Sequence, residues 1–213
     1  MQKEKMQDLV CPLCEAQGRE FYEQEYIVCD NCGSIFKGKN LFLLPDEERG
    51  RYELHNNDAQ DVGYQKFVSP ITDAILEEFT PLHVGLDFGS GRGSAISKVL
   101  SDNDFNIFEY DLFFNDDREL LQQKYDYIAC CEVIEHFHNP KKEFALLRSL
   151  LKDGGKLYCK THPYDDSIDF GKWYYRKDPT HVFFYKDKSF EHIREAFGFK
   201  DVKIEGRLII FEG

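Results

Sequence analysis

Apolar and polar positions follow two different periods along this chain, and the switches between them mark its elements. Short apolar runs of strand length fall near 82–88, 105–110, 125–131 and 156–161. Helical spacing appears near 93–101, with Ala95, Ile96, Val99 and Leu100 on one face, and again near 117–124, 140–152 and 187–197. The last of these puts Phe190, Ile193 and Phe197 on one side. Strands alternating with helices predict a mostly parallel sheet with helices on both faces. Asn139 before Pro140 predicts the start of the helix at 140–152, and Gly154 its stop. Upstream, Ser69 before Pro70 predicts another start, with Ile71, Ile75 and Phe79 on the buried face and Pro81 preventing continuation. The stretch from Asp111 to Tyr125 is short, so a strand there is expected to be missing or reduced to an edge. At the end, Val202-x-Ile204 and Leu208–Phe211 flank Glu205-Gly206-Arg207, a tight hairpin that requires antiparallel pairing.

The run at 82–88 leads into Asp87-Phe88-Gly89-Ser90-Gly91-Arg92-Gly93, and a helix follows. Glycines in such a turn let the backbone approach a ligand, and the helix start offers N–H groups. A dinucleotide fingerprint does not fit, because Ser94 stands where G-x-G-x-x-G needs its third glycine. Asp87 and the single-spaced glycines suggest instead a turn that holds S-adenosylmethionine. Two further stretches follow in order: Tyr125-Asp126-Tyr127-Ile128-Ala129-Cys130-Cys131-Glu132-Val133-Ile134-Glu135-His136-Phe137, then Leu150-Leu151-Lys152-Asp153-Gly154-Gly155.

Over roughly residues 82–162 the three motifs together resemble the class I S-adenosylmethionine-dependent methyltransferases. The resemblance implies an α/β, Rossmann-like methyltransferase sheet, mostly parallel with an antiparallel last strand. It implies that Asp87, Gly89, Ser90 and Gly91 surround the methionine portion of the cofactor. Asp111, beyond the second strand, would accept hydrogen bonds from the ribose hydroxyls, with Glu109 as its rival. Cys131 would line the adenosine or simply be a small buried residue. His136 would be structural or close to the cofactor. Tyr64 resembles an aromatic of the leading segment that covers the cofactor in such enzymes; packing of a surface helix on the sheet is the alternative.

The N-terminal segment has its own chemistry. Cys11-Pro12-Leu13-Cys14 and Cys29-Asp30-Asn31-Cys32 are two C-x-x-C knuckles with fourteen residues between them, one fewer than the common range. Two such turns facing each other make a tetrahedral sulfur site for structural zinc, with iron in a rubredoxin-like site, disulfides or redox dithiols as alternatives. Phe21–Val28 reads as the strands of a small ribbon. So small a ribbon needs the metal as its core, and is expected to fold apart from the sheet. The expected organisation is a zinc-ribbon-like module at 1–40, a helical connecting segment at 41–80 and the methyltransferase domain at 81–213. The connecting segment contains an apolar exit at Leu41–Pro45, a linker helix from Asp46, and Arg51-Tyr52-x-x-His55-Asn56-Asn57.

Composition narrows the partners. A formal net charge of −12 opposes a broad nucleic-acid surface. No apolar run approaches a membrane span, and Met1–Asp8 is charged and polar, so a cytoplasmic chain is expected. Seven cysteines agree with a reducing compartment. The 12 Tyr and 19 Phe suit an aromatic core or an aromatic substrate pocket.

Methyl transfer from a sulfonium mainly requires alignment and exclusion of water; a base is needed only for a protonated acceptor. The stretch after the strand at 156–161, from Trp173 to Tyr185, stands where α/β sheets bind substrates. Its Arg176, Asp178 and aromatics suit a substrate wall, and His181 in Asp178-Pro179-Thr180-His181 is the candidate catalytic base. An aromatic-packed structural cap is the other reading. The expected function is methyl transfer to a small-molecule acceptor. An rRNA or tRNA methyltransferase, or an inactive methyltransferase-fold scaffold, are the alternatives.

Overall fold

A computed structural model of the chain describes residues 9–54 and 58–213; the polar start Met1–Asp8 and His55–Asn57 lie outside the described residues. The first three strands, β1 (Gly18–Tyr22), β2 (Tyr26–Cys29) and β3 (Ile35–Lys37), form an antiparallel ribbon. Helix α1 (Pro45–Glu53) follows, with Pro45 at its first turn and the Leu44 amide donating to the Glu47 carboxylate at 3.1 Å.

Helix α2 (Val62–Glu78) starts earlier than the Ser69-Pro70 signal predicts. Asp61 is its cap, accepting from the Tyr64 amide at 2.7 Å, and Pro70 lies inside the helix. The proline gives up one backbone hydrogen bond, which burial of Val68, Ile71 and Ile75 against the sheet offsets.

The large sheet is built from β4 (Val84–Phe88), β5 (Asn106–Tyr110), β6 (Tyr125–Cys131) and β7 (Leu151–Lys160), with α3 (Ala95–Asp102) after β4 and α4 (Pro140–Leu150) after β6. β8 (Phe183–Phe184), α5 (Asp187–Phe197), β9 (Asp201–Glu205) and β10 (Leu208–Glu212) complete the chain. The order is β5-β4-β6-β7-β10-β9, parallel through the first four and antiparallel at β10. Beyond β5 no further strand is present among the described residues. The stretch 111–124 supplies an isolated Asp111–Asn115 bridge and, instead of a full helix at 117–124, one 3-10 turn at Arg118–Gln122. Helix α4 stops at Leu150 rather than at Gly154. Leu151 already pairs with Tyr125, and Gly154, at φ +74°, lies in the irregular start of β7.

Central strands are covered on both faces, as parallel sheets require. Along β6, Tyr125, Ile128 and Cys130 face α4 and α5, while Tyr127 and Ala129 face α2 and α3. The ribbon departs from the expectation of a separate core. Its Cys11, Leu13, Ile27, Cys29 and Phe36 join the same buried cluster as Phe144, Tyr185 and Phe190. Its sheet is completed by β8, a strand the sequence reading leaves within a loop, with Ile35 opposite Phe184 and Phe36 opposite Phe183.

Candidate functional site

Parallel pairing sets Asp87 beside Glu109 and Phe88 beside Tyr110, so the glycine turn and the end of β5 meet. The Gly89 and Ser90 amides both donate to the Tyr110 carbonyl, at 2.8 and 3.2 Å. Gly89 has φ +82°, and a Cβ there would come within 2.5 Å of Val133, so a side chain is excluded twice over. Asp111 is buried and clasps the turn to the following loop. One carboxylate oxygen accepts from the Gly91 amide at 2.9 Å; the other accepts from Phe113 and Phe114 at 2.8 and 3.1 Å.

Asp87 lies beneath the turn and accepts from the Ser94 hydroxyl; burial pushes its carboxyl up to about 7. The Ser90 hydroxyl is buried with no hydrogen-bond partner among the described residues. An orphaned polar atom at the lip of such a turn fits a ligand that brings polar groups of its own. Cys131 ends β6, its thiol pushed up by burial. Burial likewise raises the Tyr64 phenol of α2, which with Cys131 packs against the cluster that contains Val68, Ala95 and Ala129.

Directly after Cys131 in the chain, Glu132 is a wall of a cavity of about 410 Å³. Arg51, Phe67, Glu132, Tyr174, Tyr175 and His181 are among its walls. Glu132, at φ +53°, turns the chain here. Its carboxylate accepts from Arg207 Nη2 at 2.7 and 2.8 Å, from Tyr175 at 3.1 Å and from Lys160 at 3.4 Å. Behind it, Glu135 is fully buried and accepts from the hydroxyls of Tyr175 and Thr161. Burial, reinforced by the charge of Glu132, pushes Glu135 up to about 8.

His181 is 8% exposed, and burial lowers its pKa. Its Nδ1 lies 2.7 Å from the Tyr175 carbonyl and His136 Nδ1 lies 3.1 Å from the Thr180 carbonyl; the two rings are 4.7 Å apart. Each Nδ1 therefore carries the hydrogen, and each lone pair is on Nε2. The Trp173–Tyr185 stretch divides in two. Tyr174 to His181 supplies cavity wall, while Trp173 and Phe184 are buried in an aromatic core with Tyr26, Tyr164 and Phe170. Sequence reasoning does not foresee that Glu135 and His136 meet His181, or that Arg51 of α1 reaches Asp178 at 3.4 Å. The adjacent Glu135-His136 pair is the sequence signal that was available.

In the ribbon the four knuckle cysteines converge, with Cys11 and Cys32 sulfurs 3.7 Å apart and Cys14 and Cys29 sulfurs 3.3 Å apart. Tetrahedral zinc with bonds of about 2.3 Å requires sulfurs about 3.8 Å apart. The knuckles match each other: Glu15 and Gly33, both at positive φ, donate to the carbonyls of Cys11 and Cys29 at 2.9 and 3.1 Å. Four thiols so placed fit a closed structural zinc site.

A mostly parallel sheet with a reversed strand, a glycine turn clasped by an acid, and an adjoining cavity define a methyltransferase-type α/β fold. The family described as "Methyltransferase domain" matches residues 59–204, and the chain belongs to this family of enzymes. Solved structures agree on the fold. An S-adenosylmethionine-dependent methyltransferase from Archaeoglobus fulgidus is 18% identical with a TM-score of 0.55, over 70% of this chain and 94% of that one. The 1,6-didemethyltoxoflavin-N1-methyltransferase of Burkholderia thailandensis, solved with 1,6-didemethyltoxoflavin and S-adenosylhomocysteine, is 14% identical with a TM-score of 0.54, over 92% and 97%. An O-methyltransferase family protein from the same organism is 14% identical with a TM-score of 0.54; the match covers 78% of this chain and 62% of that longer one. No curated protein matches the chain by sequence. Among the described residues, no helix is long and apolar enough to cross a membrane.

Proposed function

We propose that the chain transfers a methyl group from S-adenosylmethionine to a small-molecule acceptor held in the 410 Å³ cavity. The observation that carries this reading is that Glu132, a wall of the cavity, directly follows Cys131, which ends the strand beside the one that leads into the glycine turn. Asp87, Gly89, Ser90, Gly91, Asp111 and Cys131 would hold the cofactor, the orphaned Ser90 hydroxyl gaining a partner from it. Asp111 would release the Gly91 amide to accept the ribose hydroxyls. In the reaction, an acceptor oxygen or nitrogen bonds to the methyl carbon as the carbon–sulfur bond breaks. S-adenosylhomocysteine leaves as a neutral thioether, and the acceptor gives up one proton. His181, whose pKa burial lowers, would receive that proton on Nε2.

A small molecule suits a cavity of this size and a net charge of −12, which opposes RNA. A neighbour of the same fold holds a small molecule beside S-adenosylhomocysteine. The four cysteines would hold structural zinc, and the chain would work in the cytoplasm. Calorimetry with S-adenosylmethionine tests the reading: a working site gives heat at one cofactor per chain, while a retained scaffold gives none. A labelled-methyl assay over a panel of hydroxylated and amine acceptors then tests the acceptor class.

A further inference from the structure

We propose that Glu135, His136 and His181 form a second metal site, which holds a divalent transition-metal ion beside the cavity and presents it to a hydroxyl of the acceptor. The role toward the acceptor rests on the methyltransferase reading above; the ion site itself does not. The ligand-type atoms of the three side chains lie within 4.8 Å of one another. They come from two remote places, the 3-10 turn Ile134–His136 after β6 and the approach to β8. A backbone bond from the Val182 amide to the Glu135 carbonyl, at 3.0 Å, locks those places together.

The surroundings are those of ligated imidazoles. Both histidines give Nδ1–H to a backbone carbonyl, which fixes the ring plane and directs the Nε2 lone pair. Hydroxyls of Thr161 and Tyr175 hold the Glu135 carboxylate in turn. Two imidazoles and one carboxylate suit zinc, manganese, iron or cobalt, and three protein ligands leave coordination positions open. His181 is also a wall of the cavity, so an open position faces the acceptor. A hydroxyl bound there gives up its proton more readily, to water or to the Glu132 carboxylate in the cavity wall, and the oxygen so formed supplies the nucleophile for the methyl carbon. The bland reading is three satisfied side chains tying 134–136 to 180–182, and it predicts no ion.

Two measurements on the full chain separate these readings. Zinc-loaded protein, freed of excess metal, should contain two zinc ions per chain. The count should fall to one in His136→Ala and in His181→Ala, and stay at two in His162→Ala, a nearby histidine outside the cluster. Manganese(II), a poor partner for thiolates, reports this site without the cysteines. Its free-ion magnetic resonance signal should be quenched at one equivalent, with affinity at least tenfold weaker in His181→Ala. A wild-type chain with one zinc and no manganese uptake overturns the site, as does a second ion that survives both histidine substitutions or is lost in His162→Ala. Should either cluster variant fail to fold, the wild-type manganese count decides alone. Calorimetric heat with S-adenosylmethionine but no second ion sinks the metal site and leaves the methyltransferase reading standing; a second ion without cofactor heat does the reverse.

Discussion

The two halves of the crevice are assembled differently. The proposed cofactor half uses short neighbouring segments: the turn after β4, the end of β5 at Asp111, and the end of β6 at Cys131. The acceptor half draws on almost the whole chain. Lys37 of β3 donates to the Pro179 carbonyl at 3.1 Å, and its amide to Val182 at 2.9 Å. Arg51 of α1 meets Asp178, Arg207 from the last hairpin meets Glu132, and Ser34 of the ribbon meets Ser189 of α5 at 2.9 Å. A site built from adjacent turns depends on local backbone geometry. A site built from remote strands depends on everything that holds those strands in place, here including the four cysteines.

The most severe test of that contrast is Cys29→Ser. Structural zinc contributes on the order of 10 kcal/mol to such a site. Because β3 pairs with β8 and the knuckle cysteines share a core with Phe190, metal loss should disorder the acceptor wall as well as the ribbon. Metal analysis with hydrogen exchange checks this: protection should vanish at 176–185 and persist in β4 and β6. Protection retained at 176–185 would show the ribbon to be separable.

His181→Asn addresses the acceptor half alone. Turnover should fall by about 10²–10⁴, whether the ring takes the proton or acts through an ion, with S-adenosylmethionine affinity nearly intact. A drop in cofactor affinity as large as the drop in turnover would erase the distinction between the halves.

Asp87 provides a pH test of the cofactor half. Its folded pKa of about 7 is raised, chiefly by burial, so between about pH 4 and 7 the folded chain keeps a proton that the unfolded chain releases. Stability from this group therefore falls as pH rises through that window, by an amount on the order of 4 kcal/mol. Buried His181 has a lowered pKa and acts in the opposite sense, gaining stability as pH rises through the range where the unfolded histidine loses its proton. The comparison must therefore be made between wild type and Asp87→Asn. Their melting temperatures, measured without cofactor, should diverge in the variant's favour from pH 4.5 to 7 and then run parallel. A constant difference across that range would mean Asp87 is ionised throughout.

What the sequence disclosed follows the same division. The glycine turn, its acid, the missing strand beyond β5 and the reversed last strand are local or periodic signals, and all are legible. The two-residue strand β8 carries no periodicity, and its pairing with Ile35 and Phe36 is a contact across almost 150 residues. The start of α2 departs from the sequence signal because Ser69-Pro70 is a good cap pattern that burial of Val68 and Ile71 overrides. Glu135, His136 and His181 were each visible, but their meeting depends on the Val182–Glu135 backbone bond, which no spacing encodes.

The smallest expected effect asks which acid serves the ribose. Asp111 is the proposed acid, and both of its oxygens already accept backbone N–H groups. Glu109, one pleat earlier, is half-buried, and its carboxylate has no hydrogen-bond partner among the described residues. If Asp111 exchanges the Gly91 amide for ribose hydroxyls, the net gain is that of charge-assisted bonds less the bond surrendered. Asp111→Ala should then weaken S-adenosylmethionine binding by roughly 1.5–3 kcal/mol, while Glu109→Ala changes it little. Asp111→Ala also loosens the Gly91 turn and the Phe113–Phe114 loop, so Asp111→Asn is the needed companion. The amide oxygen can still accept from one side of the clasp, but the charge is gone. Calorimetry on all three variants separates the cases. A loss in Asp111→Asn close to that in Asp111→Ala assigns the binding energy to the charge on the ribose. A loss confined to Asp111→Ala assigns it to the clasp, and a loss confined to Glu109→Ala moves the ribose contact to Glu109.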